Sequence, residues 1–321
     1  MATQKDIKSR IGSVKNIAKI TRAMEMVAAA RLRRAEQRIE ALRPYADAIR
    51  RMTRRVVEAA DQMPSIPLLQ EHDSEDHVAL LLVTGDRGLA GSFNSQIIRA
   101  GTRRARELRG EGKDVSWFVS GRRGSSSLSF RGEEVIGAYT GFTDRPAYAD
   151  ARDIAEGLVT AYGDEKIDRA EIFYNGYLSA MSQVVRHEVL LPLQQAELLG
   201  EGEEAEGGEE EDDGEHEDDG ERRSREAGDG DAADHSRSLW IYEPGPEEIL
   251  ERLAPDYVEI SIYRALLEST ASEHGARMTA MRSASDNASD LIDDLTLEAN
   301  RQRQAEITQE LMEVVAGAEG L

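Results

Sequence analysis

No cysteine occurs among the 321 residues, and that one absence removes disulfides, thiolate metal sites, thiol catalysis and thiol redox switching together. Aromatic residues supply only 5% of the chain while charged residues supply 32%, a balance that argues for one or two domains and against a single large core. Long apolar runs are missing too. The longest is the six residues Val78 to Val83, against the roughly 20 that a membrane-spanning helix requires, so no direct bilayer insertion is expected. The N-terminus, Met1-Ala-Thr-Gln-Lys5, starts polar without the apolar core of a signal peptide, which points to the cytosol or to the cytosolic face of something else. The six histidines include no two at a metal-site spacing, and no serine, histidine and acid constellation stands out. Catalytic, cofactor and metal sites are therefore all expected to be absent.

Charge is present in excess but unevenly placed. The net charge is −22, yet residues 200–235 alone hold 18 Asp+Glu against 3 Arg, a local −15. That stretch, 197–238 in its widest reading, is poor in apolar residues and rich in glycine, and reads as an acidic disordered insertion that buries too little surface to offset its ordering entropy. The two ends of the chain carry opposite charge. Residues 1–60 hold 15 Lys+Arg and 6 Asp+Glu, a net +9, while residues 256–321 hold 5 and 13, a net −8.

Both ends are also periodic. Alternating steps of four and three from Ile7 land on Ile11, Val14, Ala18, Thr21, Glu25, Ala28, Leu32, Ala35, Ile39, Leu42, Ala46, Ile49, Thr53, Val56 and Ala60, apolar at 13 of 16 positions. The same walk from Ile260 meets Tyr263, Leu267, Ala271, His274, Met278, Met281, Ser285, Ala288, Ile292, Leu295 and Ala299, apolar at ten of twelve with tyrosine counted. Two unlike helices of opposite charge prefer each other to themselves, so the ends are expected to coil together. Pro44 should bend the first helix, and Pro255 should kink or bound the last, which begins near Glu247. The register slips late, with eight residues from Ala299 to Ile307, so Ile307, Leu311 and Val314 should face a new environment or run beyond the partner helix.

The middle follows another grammar. Strands are expected at Val78–Val83, Val115–Val119, Val135–Tyr139, Glu171–Tyr177 and Val184–Leu191, with helices at Ser92–Leu108 and Tyr148–Tyr162. This alternation indicates an α/β domain with at least partly parallel pairing. Expected boundaries are 1–62 for the first coil helix, 63–196 for the α/β domain, 197–238 for the insertion and 239–321 for the second coil helix. Thr84-Gly-Asp-Arg-Gly-Leu-Ala-Gly-Ser92 sits where α/β proteins often bind phosphate, but no lysine follows its last glycine and no G-x-G-x-x-G occurs. It reads as a strand-to-helix turn. Lys15, Lys19, Arg22, Arg31, Arg33, Arg34 and Arg38 form a basic helix face without aromatic residues for base stacking, which suits an acidic protein partner better than nucleic acid.

Ile7-Lys-Ser-Arg-Ile-Gly-Ser-Val-Lys-Asn-Ile-Ala-Lys-Ile-Thr-Arg-Ala-Met-Glu-Met-Val-Ala-Ala-Ala-Arg31 closely resembles the N-terminal signature of the gamma subunits of F-type rotary ATP synthases. Glu273 to Ile292 and Asn300 to Ala318 resemble the C-terminal signature of that family, and Thr84 to Asn94 resembles the segment after its first strand. Only about 197–238 has no counterpart. The resemblance implies a left-handed antiparallel coiled coil standing inside a hexamer of alternating alpha and beta subunits. It also implies a Rossmann-like α/β foot that binds the epsilon subunit and the ring of membrane c subunits, on the cytoplasmic side of the cell membrane. Proton flow would turn the shaft, and catalysis would belong to the beta subunits.

By position in these motifs, Met24 corresponds to the residue that meets an acidic loop of a beta subunit. Arg277, Arg303, Gln304, Thr308 and Glu310 correspond to residues that touch the beta subunits or transmit torque. The acidic insertion lies roughly where photosynthetic members carry a redox-regulated segment, a mode of control excluded here by the lack of cysteine, and its charge suits docking on a basic surface. Two readings from other classes remain open on the residues alone: a coiled-coil adaptor without torque, and a basic-helix nucleic-acid binder.

Overall fold

The computed structural model describes residues 4–59, 66–72, 74–193 and 245–319. Two helices frame it, α1 (Gln4–Ala59) and α5 (Pro246–Glu319). At 1.5 Å per residue their 56 and 74 residues make rods of about 84 and about 110 Å. They run antiparallel. Ile7 packs with Leu295 and Ala299, and Leu32 and Ala35 pack with Ala271. Every described residue of the two four-three series, Ile7 to Val56 and Ile260 to Ala299, is buried or half-buried, so the sequence period and the seam coincide. The acidic stretch 197–238 and the segment Leu239-Trp-Ile-Tyr-Glu-Pro lie outside the described residues.

Between the two helices in the chain comes a five-stranded sheet of β1 (His77–Val83), β2 (Asp114–Ser120), β3 (Val135–Tyr139), β4 (Arg169–Tyr177) and β5 (Gln183–Leu191), in the order β3-β2-β1-β4-β5. β1 pairs in parallel with β2 and β4, and β2 with β3, while β5 turns back antiparallel to β4. The run Val78 to Val83 is apolar throughout because β1 is central and covered on both sides. Val78, Leu80 and Leu82 face α2 (Phe93–Gly110) and α3 (Arg122–Phe130), and Ala79, Leu81 and Val83 face α4 (Tyr148–Gly163) and the first turns of α5.

Two local features differ from the sequence reading. Arg122–Phe130, Arg-Arg-Gly-Ser-Ser-Ser-Leu-Ser-Phe, forms a helix that its composition does not announce, since Leu128 is its single large buried side chain. Its first N–H groups are met by the Asp86 carboxylate at Arg122 (3.0 Å) and by Thr84 Oγ1 at Gly124 (3.0 Å), contacts supplied by the neighbouring turn. Pro255 does not bound the last helix, which begins at Pro246 and passes through it. Leu250, Ala254, Val258 and Ile262 bury one stripe on both sides of Pro255, and that packing outweighs the one backbone hydrogen bond a proline removes. The lower part of α5 thus belongs to the core of the α/β foot as well as to the coil.

Candidate functional site

In an open α/β sheet, ligands settle in the crevice outside the carboxyl ends of the strands where the strand order reverses, here between β1 and β4. The turn after β1 occupies one wall of that crevice and is held by its own bonds. Gly85 N–H donates to Asn94 Oδ1 at 2.8 Å, and Thr84 Oγ1 donates to the Ser120 carbonyl at 2.8 Å. The Asp86 carboxylate accepts from the Gly141 N–H (2.8 Å) and from the Thr143 hydroxyl (3.1 Å), besides the Arg122 N–H. One aspartate therefore ties the ends of three strands together.

α5 enters this crevice, which serves as its socket. Ser272 Oγ donates to the Asn175 carbonyl at the end of β4 (3.1 Å), and Thr270 Oγ1 donates to the Thr143 carbonyl (2.9 Å). Glu273 reaches so close to the turn that a Cβ placed on Gly85 would stand 2.8 Å from its carboxylate carbon, so a larger residue there would have to push that carboxylate aside. Gly275 meets the β4–β5 hairpin in the same way, with the Ala180 carbonyl 2.8 Å from where its Cβ would be. A carboxylate thus stands at this Rossmann-like mouth beside the turn where a phosphate would sit, which disfavours an anion there.

Arg277 closes the socket. It is 8% exposed, pairs with Glu273, donates to the Gly88 carbonyl at 3.3 Å and reaches His274 Nδ1 at 3.2 Å. Burial pushes the Glu273 carboxyl up, and the adjacent guanidinium offsets only part of that shift. Burial and the same guanidinium hold the His274 imidazole down to about 4, so it accepts from Arg277 as a neutral ring. α1 is fixed to the foot nearby. Arg31 pairs with Asp144 at 2.7 Å, and Tyr177 Oη donates to Glu36 at 2.5 Å. Burial tends to raise the Asp144 carboxyl, but Arg31 and Arg87 together hold it below the usual range.

The six residues singled out from the sequence fall in three separate places. Met24 is half-buried on the flank of the coil, one residue before Glu25, which pairs with Arg282 across the seam at 2.9 Å. Arg277 lies in the socket, committed to partners within the chain. Arg303, Gln304, Thr308 and Glu310 are exposed at the far end of α5, roughly 40 Å along the helix from Arg277. There α5 has outrun α1, and Ile307, Leu311, Met312, Val314 and Val315 stand exposed. Thr308 bonds only back to the Gln304 carbonyl, at 2.9 Å. Among the described residues no cluster of histidine and acids suited to a metal ion occurs, and no helix is long and apolar enough to cross a membrane.

Comparison with known proteins gives the family of this chain. A family model described as ATP synthase matches residues 3–321. The ATP synthase gamma chain of Moorella thermoacetica is 39% identical over 321 residues, covering 100% of both chains. The chain belongs to the ATP synthase gamma-chain family. Its role is that of a gamma subunit in the central-stalk rotor of the synthase. The gamma chain of Streptomyces coelicolor is 40% identical over 319 residues, 98% of this chain and 94% of the relative. Among solved structures, a chain of the central stalk and c-ring of the Tetrahymena thermophila mitochondrial ATP synthase is 25% identical with a TM-score of 0.56, covering 83% of this chain and 99% of that one. A chain of the Euglena gracilis mitochondrial ATP synthase, 18% identical with a TM-score of 0.63 over 99% of this chain and 94% of that one, shares the fold.

Sequence reasoning passed over Glu273, Asp144 and Thr270, and read Gly85 and Asp86 only as parts of a strand-to-helix turn; these residues build the socket together with Arg277. One signal was available: His274 occupies a seam position of the four-three walk, flanked by Glu273 and Arg277 four residues apart, so a charged pair had to lie beside a buried imidazole.

Proposed function

We propose that this gamma subunit is itself non-catalytic and acts as a stiff shaft. It would carry rotation driven by transmembrane proton flow from a c-ring at its foot to beta subunits that make ATP at its tip. The single observation behind this reading is that α5 runs unbroken from a foot where its polar residues are locked to an end whose apolar residues are bare. A rod clamped at one end and exposed at the other transmits torque into whatever surrounds its free end. Met24, Arg303, Gln304, Thr308 and Glu310 are the residues placed to touch beta subunits. Arginine and glutamine supply directional hydrogen bonds, while the small apolar side chains around them let surfaces slide. Arg277, by its placement, would serve that contact through the shape of the socket.

The remaining partners in this reading are the alpha subunits around the shaft and the epsilon subunit and c-ring against the α/β foot. The complex would lie on the cytoplasmic side of the cell membrane, with this chain peripheral to the bilayer. The division 1–62, 63–196, 197–238 and 239–321 into coil, foot, insertion and coil stands as part of the same proposal.

Mixing the purified chain with alpha and beta subunits tests the proposal. We expect one complex that hydrolyses ATP, and an Arg303→Ala/Gln304→Ala variant that assembles but couples hydrolysis to rotation less tightly. Equal coupling in variant and parent would remove those two residues from the contact. Failure to assemble at all would leave the coiled-coil adaptor as the better account.

A further inference from the structure

The outer face of the foot carries positive charge that the rest of the described molecule does not use. α2 turns Ile97, Ala105 and Leu108 inward and presents Arg99, Arg103 and Arg106 outward, at spacings that put all three on one stripe. α3 lies alongside, joined through Arg131 to Thr102 Oγ1 (3.4 Å) and through the Arg109–Glu133 pair (2.6 Å), and adds the exposed Arg122 and Arg123. Arg104 is spent inward on the buried Glu171 at 3.0 Å, and Arg109 on Glu133. Arg103 and Arg106 meet no carboxylate among the described residues. Residues 93–134 hold 9 Lys+Arg against 5 Asp+Glu, a local +4 within a chain of net charge −22.

The most negative stretch of the chain leaves the sheet at its β5 edge, where Leu190, Leu191 and Leu193 pack on the α4 side. The described chain stops at Leu193 and resumes at Gly245. Leu191, at the end of β5, pairs with Ala170, the neighbour of the Glu171 that Arg104 of α2 grips. The departure point is thus level with the C-terminal half of α2. The intervening residues 194–244 span at most about 170 Å when extended, ample to reach any part of α2 and α3. A tether of this kind keeps the local concentration of one end near the other in the millimolar range, so weak charge attraction suffices. Arginine adds a planar fork matched to carboxylates.

We propose that the acidic residues 200–235 dock, in the same chain, on the arginine face formed by α2 and α3. The occupant is intramolecular because the chain itself carries the complementary −15 on a tether that leaves the sheet level with the C-terminal half of α2 and is long enough to reach the face. Attraction between exposed charges is screened within about 10 Å at 0.1 M salt and about 3 Å at 1 M, so the docking is salt-sensitive.

Because the chain lacks cysteine, two spin labels can be placed on the purified full chain without background, at Ser129→Cys on α3 and Gly214→Cys in the acidic stretch, before it is assembled into its synthase. Expected is a short-distance population that shrinks several-fold when salt is raised from about 0.05 M to about 1 M. Reversing Arg99, Arg103 and Arg106 to Glu should produce the same loss at low salt. Since a charge-reversed face could disturb assembly, a second variant replaces Glu209, Glu210 and Glu211 by Gln and Asp212 and Asp213 by Asn, leaving the foot untouched, and should act in the same direction. Label distances that ignore both variants overturn the proposal. Distances that respond to the acidic variant but not to the arginine reversal also overturn it, because the stretch then rests elsewhere. So does loss of a polyanionic partner on arginine reversal with label distances unchanged.

Discussion

Two stretches of α5 invert the usual rule of burial. Ser269 to Arg277 is mostly polar, yet Ser269, Thr270, Ser272, Glu273, His274 and Arg277 are all buried. Ile307 to Val315 is rich in large apolar side chains, yet Leu311 is 61% and Val314 70% exposed. The difference lies in what each stretch meets. The first is inserted into the mouth of a sheet whose carbonyls and turn accept the Thr270 and Ser272 hydroxyls and the Arg277 guanidinium, so these polar groups exchange water for protein partners, while Ser269 Oγ is buried without one. The second has run past the end of α1 and keeps an apolar stripe that nothing among the described residues covers, as surfaces built for a partner do. One helix is thus finished at one end and incomplete at the other.

The comparison is broken most strongly at the socket. Arg277→Ala leaves Glu273 buried without its guanidinium and should cost about 3–5 kcal/mol of unfolding free energy, read from urea denaturation of the full chain. Adding Glu273→Gln should recover part of that loss, because the uncompensated charge is gone; a double variant no better than the single one would mean that the pair is not the source.

A pH scan probes the same place with a somewhat smaller effect. His274 sits near pKa 4 in the folded chain, against about 6.5 when unfolded. The unfolded chain therefore binds this proton more readily, so the contribution is full above about pH 6.5 and is lost as the pH falls toward 4, on the order of 2–3 kcal/mol. Glu273, raised by burial, acts with the opposite sign: its contribution is full at acid pH and lost as the pH rises through its folded value. The His274→Gln chain should show a flatter stability profile between pH 6.5 and 4, and an unchanged slope would place the effect in other groups.

At the coil and tip, effects on stability should shrink. Leu311→Asp should change unfolding free energy by no more than about 0.5 kcal/mol, since the side chain is 61% exposed. The same substitution should weaken assembly with alpha and beta subunits, which reverses the ranking of socket and tip. Arg282→Ala breaks the Glu25 pair, whose arginine is 59% exposed, and should cost less than about 0.5 kcal/mol in the same denaturation assay.

Much of this was readable in advance. The four-three walks identified the seam residue by residue because burial on a helix follows its period, and the strands were placed within a residue or two because β1, β2 and β4 bury large apolar side chains. α3 escaped because its Ser-rich sequence is helical only through Asp86 and Thr84, distant in sequence. The unbroken passage through Pro255 escaped because local rules assign a cost to proline without knowing what the stripe around it buries. Arg303 and Gln304 look alike in sequence and in space, both on a bare helix face. Arg277 does not, because its surroundings come from a turn almost two hundred residues earlier.

Sequence alone determined that the two ends coil together, that the middle is an α/β layer and which family the chain resembles, since helix period, strand pattern and long contiguous motifs are local properties of the chain. Tertiary structure decided that the crevice of the sheet holds the shaft helix in place of a ligand, that Arg277 faces inward and that the last turns of α5 stand alone. Those outcomes depend on which distant groups are brought within hydrogen-bonding distance, and no local pattern encodes that distance.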